Sequence, residues 1–434
     1  MGKLFFALSR LKPFEHLNTW CWPNIHEHVI TRTTEQLRAN VYAAFANGGA
    51  MSFIDAVDPV GTPHRRNYER VRPIFGELEG YEPYAGGRFC QDIGIYYSFD
   101  NVFDLGENGR PLSPARYCFQ PGAAPQSPTA HRSAAMNLAK TLLQYHLPYG
   151  VVSRQDLGRL SEYRLIALPN LAMMDEEEAE AFRAYVRGGG GLYASKNTSI
   201  LGPDGVRRED FLLADLFNVS WAGELEPILT YLDPTPAAAE LFGDFGGQYP
   251  VTLYDTQLAV KVRTGAEVLA TVTLPYTDPR GEKYASILTD PPGIRTEHPA
   301  LVHSRFGEGR VLYAAGVLES WEHDSQRELL VRLLAWIAKK PFWFQSDAPK
   351  PVEITLFEQP ESKRFLVHLL NIQQEMPNVP VMNLEVKVNL RGRRPRRVVQ
   401  LADGKPLRAQ LQGDEVRFVV PELKDYRLVA VEYR

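Results

Sequence analysis

Cysteine is scarce in this 434-residue chain: Cys21, Cys90 and Cys118 are widely spaced, odd in number and include no CxxC pair. That usage argues for a reducing compartment and against a disulfide framework or a structural zinc site. Long hydrophobic runs are missing too. No apolar stretch approaches the ~20 residues that span a bilayer as a helix. The N-terminal MGKLFFALSR carries only a five-residue apolar patch, Leu4–Leu8, with no small-residue cleavage site behind it. No signal peptide is expected, and the cytoplasm is the expected location. Charge of one sign is also lacking. With 48 basic and 52 acidic residues the net charge is −4, which provides no general field for nucleic acid or an anionic membrane, and neither is expected as a partner. The one basic cluster, Arg391–Arg397 (RGRRPRR), is short and reads as a solvated turn between strands. Metal-ligand spacing is absent: His26 and His28 are two apart, which on a helix would aim them apart, and His16 and Glu27 complete no HExxH pattern. No metal and no cofactor are expected.

What is present is clearest between Leu160 and Asn197. An apolar run (Arg164–Asn170) leads to an acid-led amphipathic segment (Asp175–Arg187), four glycines (Gly188–Gly191) and a second apolar run (Gly191–Asn197). This order predicts a βαβ crossover in a parallel sheet. Asp175 is placed as N-cap with Glu178 at capping-box spacing, and Ala179, Phe182 and Val186 share the face a sheet would bury. The glycines follow a helix and precede a strand. That is the reverse of the dinucleotide and P-loop order, so they read as a helix stop and not as a phosphate cradle.

Around this crossover the chain divides into three expected parts: 1–87, 88–345 and 346–434. The first holds a helix over Thr33–Asn47, a strand over Ala50–Val57 and a helix over Arg66–Glu79. The second opens with a strand at Asp92–Ser98 and a long Pro/Gly-rich loop at 99–130. It continues through helices at His131–His146 and Asp210–Phe217, strands at Pro250–Tyr254 and Val268–Leu274, a hairpin of Ala300–Phe306 with Arg310–Val317, and a leucine-rich closing helix ended by Pro341. Gln345–Lys350 reads as a linker. Thereafter every segment is strand-like: Val352–Phe357, Phe365–Asn371, Leu384–Leu390, Arg397–Leu401, Val416–Val420 and Arg427–Glu432, the pattern of an antiparallel sandwich.

The stretch from Asp92 to Gly191, with YRLIALPNLAMMDEEEAEAFRAYVRGGGGLYAS at its centre, resembles the glutamine-amidotransferase-like trimerisation domain of family 42 β-galactosidases and related glycosyl hydrolases. Upstream, FEHLNTWCWPNIHEHVITRTTEQLRANVYAAFANGGAMSFIDAVDPVGTPH is similar to the last part of their (β/α)8 barrel. Downstream, RFLVHLLN and the following strands look like their C-terminal β-sandwich. The resemblance implies an α/β protein with a partial (β/α)8 barrel remnant, a flavodoxin-like, class I amidotransferase-like domain and an antiparallel β-sandwich. It also implies a homotrimer or a partner chain that supplies the rest of the barrel, and a carbohydrate substrate once that barrel is complete.

A whole barrel takes about 250 residues, so most of it is missing from this sequence. Retaining glycosidases need two carboxyl groups about 5–5.5 Å apart, and the family's acid/base lies in the part not matched. By the resemblance, Glu15 corresponds to the nucleophile at the end of the seventh barrel strand. Trp20 and Trp22 supply flat rings of the kind that stack on sugar faces. Asp55, Asp58 and His64 follow the next strand, where barrel enzymes place their sites. The expected function is a β-galactosidase-like hydrolase fragment or subunit that is inactive alone. The alternatives are a non-catalytic oligomerisation or carbohydrate-binding scaffold and an α-L-fucosidase-like hydrolase. Ser195-Lys196-Asn197 follows the crossover with no GxCxG, so no glutamine hydrolysis is expected.

Overall fold

The computed structural model describes residues 2–22, 25, 30–55, 60–61, 63–102, 129–277, 290–339, 341–401 and 403–434. The chain forms two compact units, one made of Met1–Asp92, Leu142–Val151 and Pro341–Arg434, the other of Ile93–Thr141 and Val152–Lys340.

In the first unit, strand β1 (Phe14–Thr19) leads through helix α1 (Thr34–Ala46) to strand β2 (Gly49–Ile54) and then to helix α2 (Arg65–Glu79). Thr33 opens α1 with a reciprocal capping box: its Oγ1 accepts from Gln36 N at 3.3 Å, and Gln36 Oε1 accepts from Thr33 N at 3.0 Å. β1 and β2 pair in parallel, from Phe14 opposite Gly49 to Thr19 opposite Ile54. A Cβ at Gly49 would lie 2.4 Å from the end of the Phe14 ring, so any side chain there would displace that ring from the core. One face of the pair is buried, with Phe14 and Met51 enclosed, and Met51 shares a core with Leu37, Val41, Val71 and Ile74 of the two helices. The other face carries Glu15, Leu17, Ala50 and Ile54, all exposed. α1 is apolar on a second side as well. There Tyr42, Phe45 and Ala46 join Phe357, Leu366, Tyr426 and Leu428, with the Tyr42 and Tyr426 rings stacked at 4.5 Å.

The C-terminal part of this unit is all antiparallel. One sheet runs Pro395–Gln400, Tyr426–Tyr433, Arg364–Asn371, Val352–Gln359 and Arg88–Phe89; the other runs Phe344–Ser346, Val381–Asn389, Glu415–Leu423 and Ala409–Gln412. Alternating residues from both, such as Leu356, Val367, Val386 and Phe418, form one core. One expectation is corrected here: Gln345 and Ser346 belong to a strand and not a linker, because buried Phe344 anchors Phe344–Ser346 against Val386–Val388. The basic cluster lies, as expected, at the turn between two strands, with Arg394, Arg396 and Arg397 exposed, and acids claim most of it. Arg391 lies over the Trp343 ring at 3.5 Å and pairs with fully buried Asp92, Arg393 pairs with buried Glu358, and Arg397 forks onto Glu432 at 2.7 and 2.8 Å.

The second unit is built on parallel strands β3 (Ile93–Tyr96), β4 (Leu165–Leu168), β5 (Gly191–Ser195) and, further along the chain, β10 (Gly309–Ala314), adjacent in that order. Between β4 and β5 runs α3 (Glu176–Arg187), capped as its sequence predicts: Asp175 Oδ1 accepts from Glu178 N at 2.9 Å and Glu178 Oε2 from Asp175 N at 3.1 Å. Gly188 closes the helix and Gly189 turns the chain at φ +104°. Ala179, Phe182 and Val186 pack with Ile166, Leu168 and Leu192. Beyond β10 the sheet continues antiparallel through β9 (Pro292–Phe306), β8 (Glu267–Pro275), β6 (Thr230–Pro234) and β7 (Val251–Leu253), with helix α4 (Asp324–Ala338) packing on β5 and β10. The helix expected over Asp210–Phe217 is only Ala214–Phe217. Asp210 Oδ1 instead accepts from Phe211 N and Trp221 N, both at 2.8 Å, which holds the chain in a non-helical turn.

Candidate functional site

The carboxyl ends of β1 and β2 gather most of the described residues that the sequence singles out. Trp20, immediately after β1, is buried and donates from Nε1 to Asp55 Oδ1 at 2.9 Å. Asp55 directly follows β2, and its Oδ2 accepts from the backbone N–H of His64 at 3.1 Å. Trp20 meets Tyr68 of α2 edge-on at 4.8 Å and lies 6.0 Å from Phe53. Burial, followed by the nearby Asp55 carboxylate, raises the Tyr68 phenol above its ordinary value. One carboxylate thus ties together the end of β1, the end of β2 and the start of α2. His64 Nδ1 is buried and, among the described residues, has no hydrogen-bond partner.

Trp22 is half-exposed beside this cluster. Its indole lies under the Arg32 guanidinium at 5.0 Å, and Arg32 Nε donates to Thr19 O at 2.9 Å. The segment returning from Trp22 is pinned by Trp22 N to Ile30 O at 2.9 Å and Arg32 N to Trp20 O at 2.8 Å. An exposed aromatic ring, a carboxylate and a buried imidazole nitrogen are found at the same end of β1 and β2. Such a set can hold a polar ligand that also presents an apolar face.

Glu15 is not part of this group. It is the second residue of β1, opposite Ala50, and accepts from Ser52 Oγ at 2.5 Å. The sequence reading puts it at the carboxyl end of its strand; the register puts it near the amino end, about 13 Å from Thr19 at the usual strand rise. Asp58 lies outside the described residues, as do His26, Glu27 and His28. His16 points to the other face of β1 from Glu15, 5.8 Å from the Phe5 ring, and burial lowers its pKa. Tyr68 and Arg32 escaped the sequence reading. Tyr68 fitted the apolar spacing of a helix, and Arg32 lay in a polar connection with no motif.

In the second unit, the carboxyl end of β5 carries polar groups that are closed off. Ser195 is fully buried, donates from Oγ to Glu319 Oε1 at 2.8 Å and accepts from Asn170 N at 2.9 Å. Lys196 Nζ is held by Asp255 at 3.1 Å and Thr256 Oγ1 at 2.8 Å. A buried, saturated serine cannot meet a substrate as a nucleophile.

The folds therefore define an α/β protein with C-terminal antiparallel sheets. Residues 123–339, half of the chain, match the family described as the beta-galactosidase trimerisation domain, and the chain belongs to that family. No curated protein sequence matches. Among solved structures it is similar to alpha-L-fucosidase isoenzyme 2 from Paenibacillus thiaminolyticus, at TM-score 0.73 and 18% identity over 96% of this chain and 60% of that one. It is also similar to the beta-galactosidase from Bacillus circulans sp. alkalophilus, at TM-score 0.66 and 16% identity over 99% of this chain and 57% of that one. A third likeness is to Gan42B, a GH42 beta-galactosidase from G. stearothermophilus, at TM-score 0.66 and 13% identity over 100% of this chain and 56% of that one. At such identities the likeness is one of fold, and the chain spans less than two thirds of each of these structures.

Proposed function

We propose that this chain is a trimer-forming portion of a GH42-type galactoside hydrolase, carrying the last arc of a (β/α)8 barrel, an amidotransferase-like domain that acts as scaffold, and a β-sandwich, divided near 87 and 345. One observation carries the reading: β1 and β2 are parallel, covered on one face by helices and bare on the other, where Leu17 is 56% exposed. Parallel sheets are ordinarily covered on both faces. A parallel pair with an open apolar face is what remains when a closed ring of strands lacks its other members, and no other described strand pairs with either.

The sugar-facing end of that arc would be the one with Trp20, Trp22, Asp55 and His64. Asp55 accepts hydrogen bonds from Trp20 and His64, which suits it to orienting the site, and Trp22 offers a ring to a sugar. Glu15, at the opposite end, has no role in this arrangement. Two-carboxylate hydrolysis needs a closed site with both acids in place, so the purified chain should not turn over nitrophenyl galactosides. Turnover by the chain alone, abolished in Asp55→Asn with the fold intact, would refute the proposal. The same assay on nitrophenyl fucosides tests the fucosidase alternative.

A further inference from the structure

One face of the second unit's sheet gathers ionisable side chains beside the end of α4. Glu267 of β8 lies directly opposite His303 of β9, and Arg310 of β10 lies opposite Arg305, two residues further along β9. Residues two apart on a strand share a face, so these four stand on the same side. The last turn of α4 meets that side: the Trp336 ring is 4.7 Å from the His303 ring, and Trp336 O accepts from Arg310 Nη1 at 3.4 Å. Between these groups and the short helix Ala239–Phe242 the surface opens into a cleft of about 670 Å³, whose lining includes Glu240, Glu267, Arg310, Arg332, Trp336 and Lys339. That size falls in the range of small-ligand sites, roughly 300–1,000 Å³.

The charges of this cleft are unspent and separated. Arg310, Arg332 and Lys339 make no ion pair among the described residues. Arg332 is steadied only by Nη2 donating to Phe242 O at 3.4 Å. Glu267 stands two strands away from Arg310, about 10 Å at the usual strand spacing. Three cations against two carboxylates, with roughly half a negative charge from the C-terminus of α4, leave little net field. A polyanion therefore gains little here, whereas a ligand with one anionic group and several hydroxyls can use both kinds of wall. Trp336, partly buried, adds a flat ring. Beside it, His303 is 8% exposed and its Nε2 has no hydrogen-bond partner among the described residues. Its Nδ1 lies 3.5 Å from Glu267 Oε2, which favours the proton on Nδ1 and leaves Nε2 as an acceptor for a hydroxyl. We infer that this cleft binds an acidic monosaccharide: its carboxylate or phosphate ester on Arg310, Arg332 and Lys339, its hydroxyls on Glu240 and Glu267, its ring against Trp336. Every one of these residues belongs to the second unit, so the inference does not depend on the barrel arc.

The test is isothermal titration calorimetry on the full chain with glucuronate, galacturonate, glucose 6-phosphate, glucose and inorganic phosphate. It is repeated on Arg332→Gln/Lys339→Gln, both exposed positions, with far-UV circular dichroism as a folding check. At least one acidic sugar should bind at millimolar concentration, with glucose and inorganic phosphate weaker by about tenfold or more, and the double variant should lose about tenfold in affinity. Tighter binding of the uronates would assign a carboxylate ligand, and tighter binding of glucose 6-phosphate a phosphate ester; either supports the site. Three results would overturn it: no acidic sugar bound, inorganic phosphate bound as tightly as the sugars, or a folded double variant with unchanged affinity. None of them bears on the galactoside assay, so the function proposed above stands or falls separately.

Discussion

Glu319 allows a pH-dependent stability to be worked out in advance. The residue is 1% exposed, and Oε1 accepts from Ser195 Oγ at 2.8 Å. The second oxygen is buried and has no hydrogen-bond partner among the described residues. Burial therefore pushes the carboxyl up from 4.5 to about 7. With the folded value raised, the unfolded chain ionises first. Between these two values the folded state holds more protons, and stability falls as pH rises. At about 1.4 kcal/mol per tenfold change in proton affinity, the cost reaches ~3 kcal/mol above pH 7 and vanishes below about pH 4. Glu319→Gln keeps the shape and removes the ionisation. The variant should match the wild type near pH 4 and exceed it by up to ~3 kcal/mol near pH 8. Native-state hydrogen exchange of the amides in β5 and β10 reads this locally, without assuming that the two units unfold together. Wild-type and variant curves that run parallel across that range would show that Glu319 is solvated or paired, and the reasoning would fail.

Two further substitutions probe the buried polar anchors. Asp55→Ala should cost ~1–3 kcal/mol in urea unfolding, because the Trp20 indole N–H and the His64 backbone N–H lose their acceptor; an unchanged midpoint would mean that water replaces the carboxylate. Arg391→Ala strips a cation from Asp92, whose side chain has no exposure and which also accepts from Trp343 N at 2.6 Å. A loss of about 3 kcal/mol is expected by the same measurement, since a buried carboxylate loses a paired cation.

Local order was legible in the chain before folding. The capping box at Asp175 stands where the spacing put it, and the six expected sandwich strands and the βαβ crossover appear within three residues of expectation. These features depend on periodicity and on hydrogen bonds between residues three or four apart, which the sequence contains in full. The site was only half legible. Trp20, Trp22, Asp55 and His64 come together at one end of β1 and β2, whereas Glu15 falls at the other, because the parallel register decides which residues stand at the carboxyl ends. Tyr68 joins them through a helix whose orientation no spacing rule encodes.

Helix starts, strand alternation, the glycine stop after α3 and the scarcity of usable cysteine follow from the order of residues alone, since each is a contest between neighbours along the backbone. The partners of Asp92, Glu319 and Asp55, the use of both sides of α1, and the conversion of an arginine-rich turn into a set of ion pairs were decided only when distant segments met. A buried charge takes whatever cation or donor the tertiary fold brings within reach, and that proximity exists only in three dimensions.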